Sequence, residues 1–309
     1  MTDTTPQQGD SPKGFAFALG AYVIWGVLPI YMKALTGIPA AEIIAHRIIW
    51  SLPVAAAVLL WQGRTADIRA ALASPRLLGM AALTAVLITA NWMIYVWAVT
   101  HDRAVEAALG YYINPLFSIL LGASLLGERL SRGQWVAIAL AGAAVVLLTI
   151  DAGGPPLVAM GLMLSWGFYA LLKRSLPLGP NQGFTLEVLL LLPLALGYLF
   201  WWMPSGQGHF ANGSLRDTLL LLGCGPITAI PLMFYANGAK LLRLSTIGIL
   251  QYLTPTMVFL TAVFLFGEPF GGVQLIAFPM IWAALVIYSM TLIRQVRDRR
   301  RALAQMRAQ

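Results

Sequence analysis

A short motif occurs twice in this chain, and the distance between its copies constrains the fold more than any other feature. The first copy is residues 111–115 (YYINP) and the second is residues 251–255 (QYLTP). Each opens an apolar run that ends in a Gly-Glu pair. The positions that recur 140 residues later are Tyr112, Pro115, Gly127, Glu128 and Gln134. This agreement indicates that two halves of the chain share one plan.

A proline lies inside each of these apolar runs. Pro115 and Pro255 lack an N–H and clash with the carbonyl four residues earlier, which belongs to Tyr111 or Gln251. In a lipid-embedded helix a freed carbonyl is tolerated where it faces protein, water or a ligand. Matching breaks in two halves are typical of transporter substrate sites, and there they would act as gating hinges. A pair of kinks that only help helices pack is the alternative.

Composition places the duplicated unit in a membrane. Hydrophobic residues make up 59% of the chain and charged residues 10%, whereas soluble domains carry about 25% charged residues. The apolar runs are continuous and about 20 residues long, which is the length a helix needs to cross a bilayer. Outer-membrane barrels show short alternating segments instead. We predict an all-α polytopic membrane protein.

Ten spans follow one another along the chain. They cover residues 14–34, 40–61, 76–99, 105–126, 134–151, 156–174, 183–203, 215–238, 245–266 and 272–294. Five fall in a first repeat, residues 14–151, and five in a second, residues 152–294. Because five is an odd number, the second unit enters the membrane from the opposite side. The predicted fold is therefore ten transmembrane helices in two inverted-topology five-helix repeats, with chance similarity of apolar segments as the alternative.

Basic residues set the predicted orientation. Sixteen Lys and Arg side chains lie on the side that holds both termini and the even-numbered loops, and four lie on the other. The positive-inside rule makes residues 1–13 and 295–309 cytoplasmic tails. Six arginines lie within the last sixteen residues, beside the last span, a placement that suits anionic lipid headgroups rather than nucleic acid.

Several stretches resemble one transporter group. Residues 22–26 (YVIWG) and 42–47 (EIIAHR) resemble the start of RarD-like proteins, in the EamA branch of the drug/metabolite transporter superfamily. The two Gly-Glu pairs resemble that superfamily's marks at the ends of the fourth and ninth spans. The resemblance covers about residues 14–294. It implies a central cavity between spans 1, 3, 4, 6, 8 and 9, peripheral spans 2 and 7, and export of small metabolites, amino acids among them, across the bacterial inner membrane.

Aromatic and amide side chains in these spans are the candidate substrate-binding residues. Asn91 and Tyr95 lie one helical turn apart and share a face. Such groups bind a carboxylate or ammonium group and stack on apolar bodies, although bonding between helices is an equal alternative. The predicted lining is Trp25, Asn91, Tyr95, Tyr111, Tyr112, Asn114, Trp166, Tyr169, Asn237, Gln251, Tyr252 and Thr254.

Charged side chains inside spans are a second set of candidates, because charge in hydrocarbon is costly and marks function. Arg47, beside His46 in span 2, matches Glu187 in span 7 at an offset of 140. The two would neutralise each other or bind the two ends of a zwitterion; alternatively each snorkels to the headgroups. His46 offers a route to proton coupling, or is a capped interfacial histidine. Glu128 and Glu268 are predicted to be structural, at the positive start of the helix that follows.

Motifs of catalysis are missing from the sequence. It contains no H-E-x-x-H, G-x-S-x-G or P-loop segment, and its one cysteine is Cys224. We expect no enzyme activity, metal, cofactor or nucleic-acid partner; the partners are a small-molecule substrate and membrane lipid, and a monomer is compatible with both halves lying in one chain. The predicted function is secondary export of amino acids or similar amphipathic compounds by alternating access. A non-transporting membrane scaffold or sensor on the same fold is the alternative.

Overall fold

The computed structural model describes residues 11–126, 130–212, 214–242 and 244–308. Within these ranges every regular element is a helix. Gly127 and Glu128, which close the first copy of the repeated motif, lie outside the described residues. The all-α architecture predicted from the long apolar runs is confirmed.

Twelve α-helices follow one another in the described residues. They are α1 Pro12–Lys33, α2 Ala40–Gln62, α3 Thr65–Leu72, α4 Pro75–Thr100, α5 Ala104–Leu126, α6 Arg132–Asp151, α7 Leu157–Ser175, α8 Pro180–Trp202, α9 Leu215–Leu241, α10 Leu244–Leu250, α11 Leu253–Leu260 and α12 Gln274–Ala308. A 3₁₀ turn, Met203–Ser205, follows α8, and a π-helical turn, Thr261–Leu265, follows α11.

Eight of the described helices are long and apolar enough to cross a membrane. Two shorter apolar stretches, Leu157–Lys173 and Leu253–Leu265, fall where the sequence predicts the sixth and ninth spans. The chain is thus a multi-pass membrane protein. The span count of ten stays a prediction.

The short helix α3 connects the second and third predicted spans and is not predicted from the sequence. Its Ile68 and Ala71 are buried, whereas most of its other residues are exposed. It packs against α4 and α8. The Gln182 amide, in α8, donates to Asp67 Oδ2 at 3.0 Å and fixes this contact.

The ninth predicted span is divided, whereas its counterpart in the first half is continuous. Pro255 has no N–H to offer the Gln251 carbonyl, and the chain turns between α10 and α11. There the Tyr252 N–H donates to the Ile249 carbonyl, three residues earlier, at 3.2 Å. Pro115, at the matching position, lies inside the unbroken helix α5.

Helices of the two halves pack against each other in matching pairs. Helix α1 packs against α9 and α11, and helix α7 packs against α4 and α5. Small residues permit this close approach, since a β-carbon at Gly26 would lie 2.5 Å from Met257 Sδ. One added at Gly167 would lie 2.5 Å from the Phe117 ring. Both partners in the second contact are displaced from those in the first by 140 or 141 residues.

A second contact is repeated in the same way. A β-carbon at Gly20 would lie 3.3 Å from the Phe234 ring, and one at Gly161 would lie 2.9 Å from Ile94 Cδ1. These two contacts are again related by the offset of 140 or 141 residues. The halves therefore use equivalent surfaces of their helices against each other.

Candidate functional site

A cavity of about 150 Å³ lies between helices of the two halves. One water needs roughly 10–15 Å³ on this scale, so the space suits a small metabolite. Most of its wall comes from α1, α4, α5, α7, α9 and the α10–α11 break, and α2 supplies one residue. The lining consists of Tyr22, Trp25, Leu28, Arg47, Asn91, Trp92, Tyr95, Tyr111, Asn114, Pro115, Trp166, Thr228, Leu232, Tyr235, Gln251, Thr254 and Pro255.

Eight predicted lining residues, and both prolines, are found around this cavity. The eight are Trp25, Asn91, Tyr95, Tyr111, Asn114, Trp166, Gln251 and Thr254. Several belong to pairs related by the repeat offset: Tyr111 with Gln251, Asn114 with Thr254, and Pro115 with Pro255. The two copies of the duplicated motif therefore face one space.

Four predicted lining residues are placed elsewhere. The Tyr112 hydroxyl donates to Thr256 Oγ1 at 2.9 Å, and the Tyr169 hydroxyl donates to Glu187 Oε2 at 3.4 Å. The Asn237 amide donates to the carbonyl of its own helix at Met233. Tyr252 lies near α12. Successive residues of a helix point about 100° apart, so the neighbour of a lining residue faces other helices.

Six lining residues lie outside the predicted set: Tyr22, Leu28, Trp92, Thr228, Leu232 and Tyr235. Helical spacing would find half of them, because Thr228, Leu232 and Tyr235 are four and three residues apart and share one face of α9. The repeat offset gives the same result for two, since Trp92 matches Leu232 and Tyr95 matches Tyr235.

Arg47 lies inside the bundle, with 3% of its surface exposed. Its Nε donates to Thr228 Oγ1 at 3.0 Å, and its guanidinium lies 4.7 Å from the centre of the Trp92 ring. Its Nη1 has no hydrogen-bond partner among the described residues. The expectation that Arg47 snorkels to the headgroups is therefore wrong, because packing turns the side chain towards the cavity.

Close packing of α2 on α9 explains this placement. A β-carbon at Gly225 would overlap the backbone of Trp50, so only glycine permits the two helices to approach this closely. Arg47 lies three residues before Trp50, and Thr228 lies three residues after Gly225. The contact thus brings Arg47 and Thr228 together at the cavity wall.

Glu187 is paired with a lysine rather than with Arg47. Lys173 Nζ donates to its Oε1 at 2.6 Å, and the Thr84 hydroxyl donates to the same oxygen at 2.6 Å. Glu187 is 2% exposed and lies outside the cavity lining. The predicted partnership with Arg47 is corrected, because α7 and α4 already satisfy this carboxylate.

His46 lies in packed protein next to Arg47 in sequence but outside the cavity lining. Its Nδ1 accepts from Trp50 Nε1 at 3.0 Å, and its ring lies 4.7 Å from that of Phe210. The side chain is 1% exposed. Neither an interfacial position nor a cavity position describes it.

Asn91 lines the cavity and also joins two helices. Its amide nitrogen donates to the Leu162 carbonyl at 3.2 Å and to Ser165 Oγ at 3.0 Å, both in α7. Its oxygen accepts from the Tyr111 hydroxyl at 3.2 Å. By contrast, the Tyr95 hydroxyl and Asn114 Oδ1 are buried at the cavity with no partner among the described residues.

Known proteins similar to this chain are transporters or carry the name RarD. The profile of the EamA-like transporter family matches residues 12–150. Protein RarD of Salmonella typhi is 41% identical over 278 residues, covering 90% of this chain and 95% of its own length. An uncharacterized transporter of Vibrio cholerae is 40% identical over 285 residues, covering 92% and 94%. One solved crystal structure has a TM-score of 0.59 at 21% identity, covering 91% of this chain and 98% of its own; at that identity the likeness concerns the fold alone.

Proposed function

Because the chain belongs to the RarD-like group of the EamA-like transporter family, we propose that it exports small amphipathic metabolites through the central cavity. The mechanism is alternating access between two inverted five-helix repeats in the bacterial inner membrane, with both termini cytoplasmic. Amino acids are the first substrate class to test. The working unit is one chain with membrane lipid around it.

One observation carries this proposal: residues from both copies of the duplicated motif line a single cavity. Tyr111 and Gln251 are such a pair, and Asn114 and Thr254 are another. In inverted-repeat transporters the substrate lies between the repeats, and each half moves against the other around it. Equivalent residues facing one space are the arrangement that this mechanism requires.

The repeated glycine contacts support the inverted arrangement. The contacts of Gly26 with Met257 and of Gly167 with Phe117 use equivalent positions in opposite halves. Gln134 and Gln274 also match, since each accepts a hydrogen bond from the backbone N–H three residues earlier. Eight long helices, together with α7 and the α10–α11 pair, then make up ten spans.

The unequal helices around the two prolines support a hinge. The chain is broken near Pro255 and continuous through Pro115. In a symmetric pair of repeats, a motion that exchanges these two shapes would open the cavity to the other side. Pro115 and Pro255 are the proposed hinge residues of this motion.

The chemistry of the wall fits an amphipathic substrate. Aromatic rings of Trp25, Trp166 and Tyr235 offer apolar faces, while Asn114 and Tyr95 offer buried polar atoms. Small-molecule sites combine a mostly apolar wall with a few placed polar groups in this way. A scaffold or sensor would need no such enclosed space.

Efflux of a compound mixture from vesicles tests the proposal while the substrate is still unidentified. Proteoliposomes are loaded with a mixture of amino acids and other neutral, cationic and anionic amphipathic metabolites, and the medium is followed by mass spectrometry. We expect saturable release of a subset of compounds. Release equal to that from protein-free vesicles would favour the scaffold or sensor alternative.

Two asparagines give a matched pair of variants for this assay. Asn114→Ala removes an unpartnered acceptor at the cavity and should slow release about tenfold, as loss of one good hydrogen bond does. Asn237→Ala removes the same group from a position bonded to its own helix and should retain release. Equal effects of the two substitutions would place the path elsewhere.

A further inference from the structure

Four charged side chains are buried in the described part of the chain: Glu42, Arg47, Glu187 and Glu268. Each of the three carboxylates has hydrogen-bond donors of its own. Those donors are His209 and Trp202 for Glu42, Lys173, Thr84 and Tyr169 for Glu187, and the backbone N–H groups of Ala104 and Val105 for Glu268. The acids inside the bundle are therefore already engaged.

Arg47 has only neutral neighbours among the contacts of the described residues. Thr228 accepts one hydrogen bond from it, and Trp92 offers the face of its ring. A guanidinium in a low-dielectric interior costs on the order of several kcal/mol unless an anion and enough acceptors accompany it. One hydroxyl and one ring do not supply a negative charge. The unpartnered Nη1, at the cavity, marks where a further acceptor belongs.

We infer that Arg47 binds a carboxylate of the substrate, and that the substrate class is organic monoanions with an aromatic or branched apolar body. This inference rests on the proposed function and narrows it. Of the seventeen residues that line the cavity, Arg47 is the one with a charged side chain. A monoanion balances that charge, whereas the ammonium group of an amino acid would meet no carboxylate in the lining.

Two further buried atoms of the cavity point to the same ligand. Tyr95 lies one helical turn from Trp92, the ring that Arg47 covers, so its unpartnered hydroxyl lies on the same face of α4. A hydroxyl there donates to the second oxygen of a carboxylate held by Arg47. Asn114 Oδ1 is an acceptor and suits a hydroxyl or amide group on the ligand.

The rest of the wall fits the body of such an anion. The Trp25 and Tyr235 rings lie 5.7 Å apart between centres, and Trp166 lies in the other half. These faces stack on aromatic or apolar groups. A small inorganic anion would leave this apolar surface uncovered.

A matched panel of compounds tests the charge preference directly. Phenyl, indole and branched-alkyl bodies are each presented as a carboxylate, its primary amide, the corresponding amine and the amino acid. Binding to the purified full chain in uncharged detergent is followed by tryptophan fluorescence and by the shift in melting temperature. We expect the carboxylates to bind at least tenfold more tightly than the amides and amines, and no less tightly than the amino acids.

Variants of Arg47 assign the preference to this side chain. Arg47→Gln should remove the preference for carboxylates, and Arg47→Lys should keep it with weaker binding, because lysine lacks the planar two-pronged donor. Arg76→Gln removes the same charge from an exposed position of α4 and should bind like the unmodified protein. Without ligand, Arg47→Gln should melt no lower than the unmodified protein, since it removes an unpaired buried charge.

Each outcome decides for or against the inference. Equal binding of carboxylates and amides, tighter binding of the amino acids or amines, a preference that survives Arg47→Gln, or no binding of any carboxylate in the panel would overturn it. A large drop in melting temperature of ligand-free Arg47→Gln would instead make Arg47 a structural residue. In all these cases, saturable release of other compounds from vesicles would leave the proposed export function standing.

Discussion

Glu268 stabilises the first turn of a helix in the other half of the chain. Its two oxygens accept from the backbone N–H groups of Ala104 at 2.7 Å and Val105 at 2.8 Å. Free N–H groups and the positive dipole end at a helix start favour a carboxylate. The sequence predicts this role at α12, the helix that follows Glu268, and the structure places it at α5. The physical reason is right and the recipient helix is different.

Removal of this carboxylate should weaken the structure by a measurable amount. Glu268→Ala leaves two N–H groups uncapped, which we expect to cost about 1–2 kcal/mol and to lower the melting temperature in detergent by several degrees. Glu268→Gln keeps one acceptor and should fall between. Asp151→Ala, at an exposed acid, is the control. A Glu268→Ala protein that melts like the control would contradict the capping role.

Residue type predicts the composition of the cavity wall better than it predicts the wall's members. Tyr111 and Tyr112 are indistinguishable by chemistry, yet one lines the cavity and the other bonds Thr256. The rotation of a helix about its axis decides between neighbours, and that rotation is set by packing with other helices. Arg47 shows the same limit, since the close approach at Gly225 that turns it inwards is a property of two helices.

At the scale of helices, apolar run length predicts the spans well. The ends of α1, α2, α4 and α5 lie within two residues of the predicted bounds, because hydrocarbon thickness fixes the length. Run length is blind to interruptions, so the break between α10 and α11 is missed although Pro255 hints at it. Helix α3 is missed because its buried face consists of two residues, Ile68 and Ala71.

The two prolines provide a matched test of the proposed hinge. Pro255→Ala restores an N–H that can bond the Gln251 carbonyl, so α10 and α11 can join into one helix. We expect slower vesicle efflux with a melting temperature that is not lowered. Pro115→Ala lies in a helix that is already continuous, and its effect on efflux should be smaller. Equal slowing by both variants would remove the break as the moving part.

At the scale of the whole molecule, the repeat offset predicts contacts that no single span reveals. Gly26 and Gly167 match in sequence, and each meets a residue from the opposite half at matching positions. Duplication allows this prediction because equivalent helices carry equivalent surfaces. The sequence alone could not identify Met257 and Phe117 as the partners, since pairing between halves is a three-dimensional property.

Site-directed labelling tests the ten-span arrangement at α7, a shorter apolar helix. Cys224 is the only cysteine and is fully buried, so a Cys224→Ala background carries no thiol. In that background Ala152→Cys and Ser175→Cys place exposed thiols at the two ends of α7. A membrane-impermeant maleimide should label the first in intact cells and the second only after permeabilisation. Labelling of both from one side would mean that α7 does not cross.

The lone guanidinium of Arg47 also determines how membrane voltage acts on export. A monoanion that leaves the cell moves negative charge outwards, and an inside-negative voltage favours this by about 2.3 kcal/mol per 100 mV. Since 1.36 kcal/mol corresponds to a factor of ten, 100 mV would sustain a roughly fiftyfold outward concentration ratio. A zwitterion would gain nothing from the same voltage. An exporter whose cavity lining, in the described residues, carries a single positive charge would thus be powered electrically, with no proton or sodium ion carried in exchange.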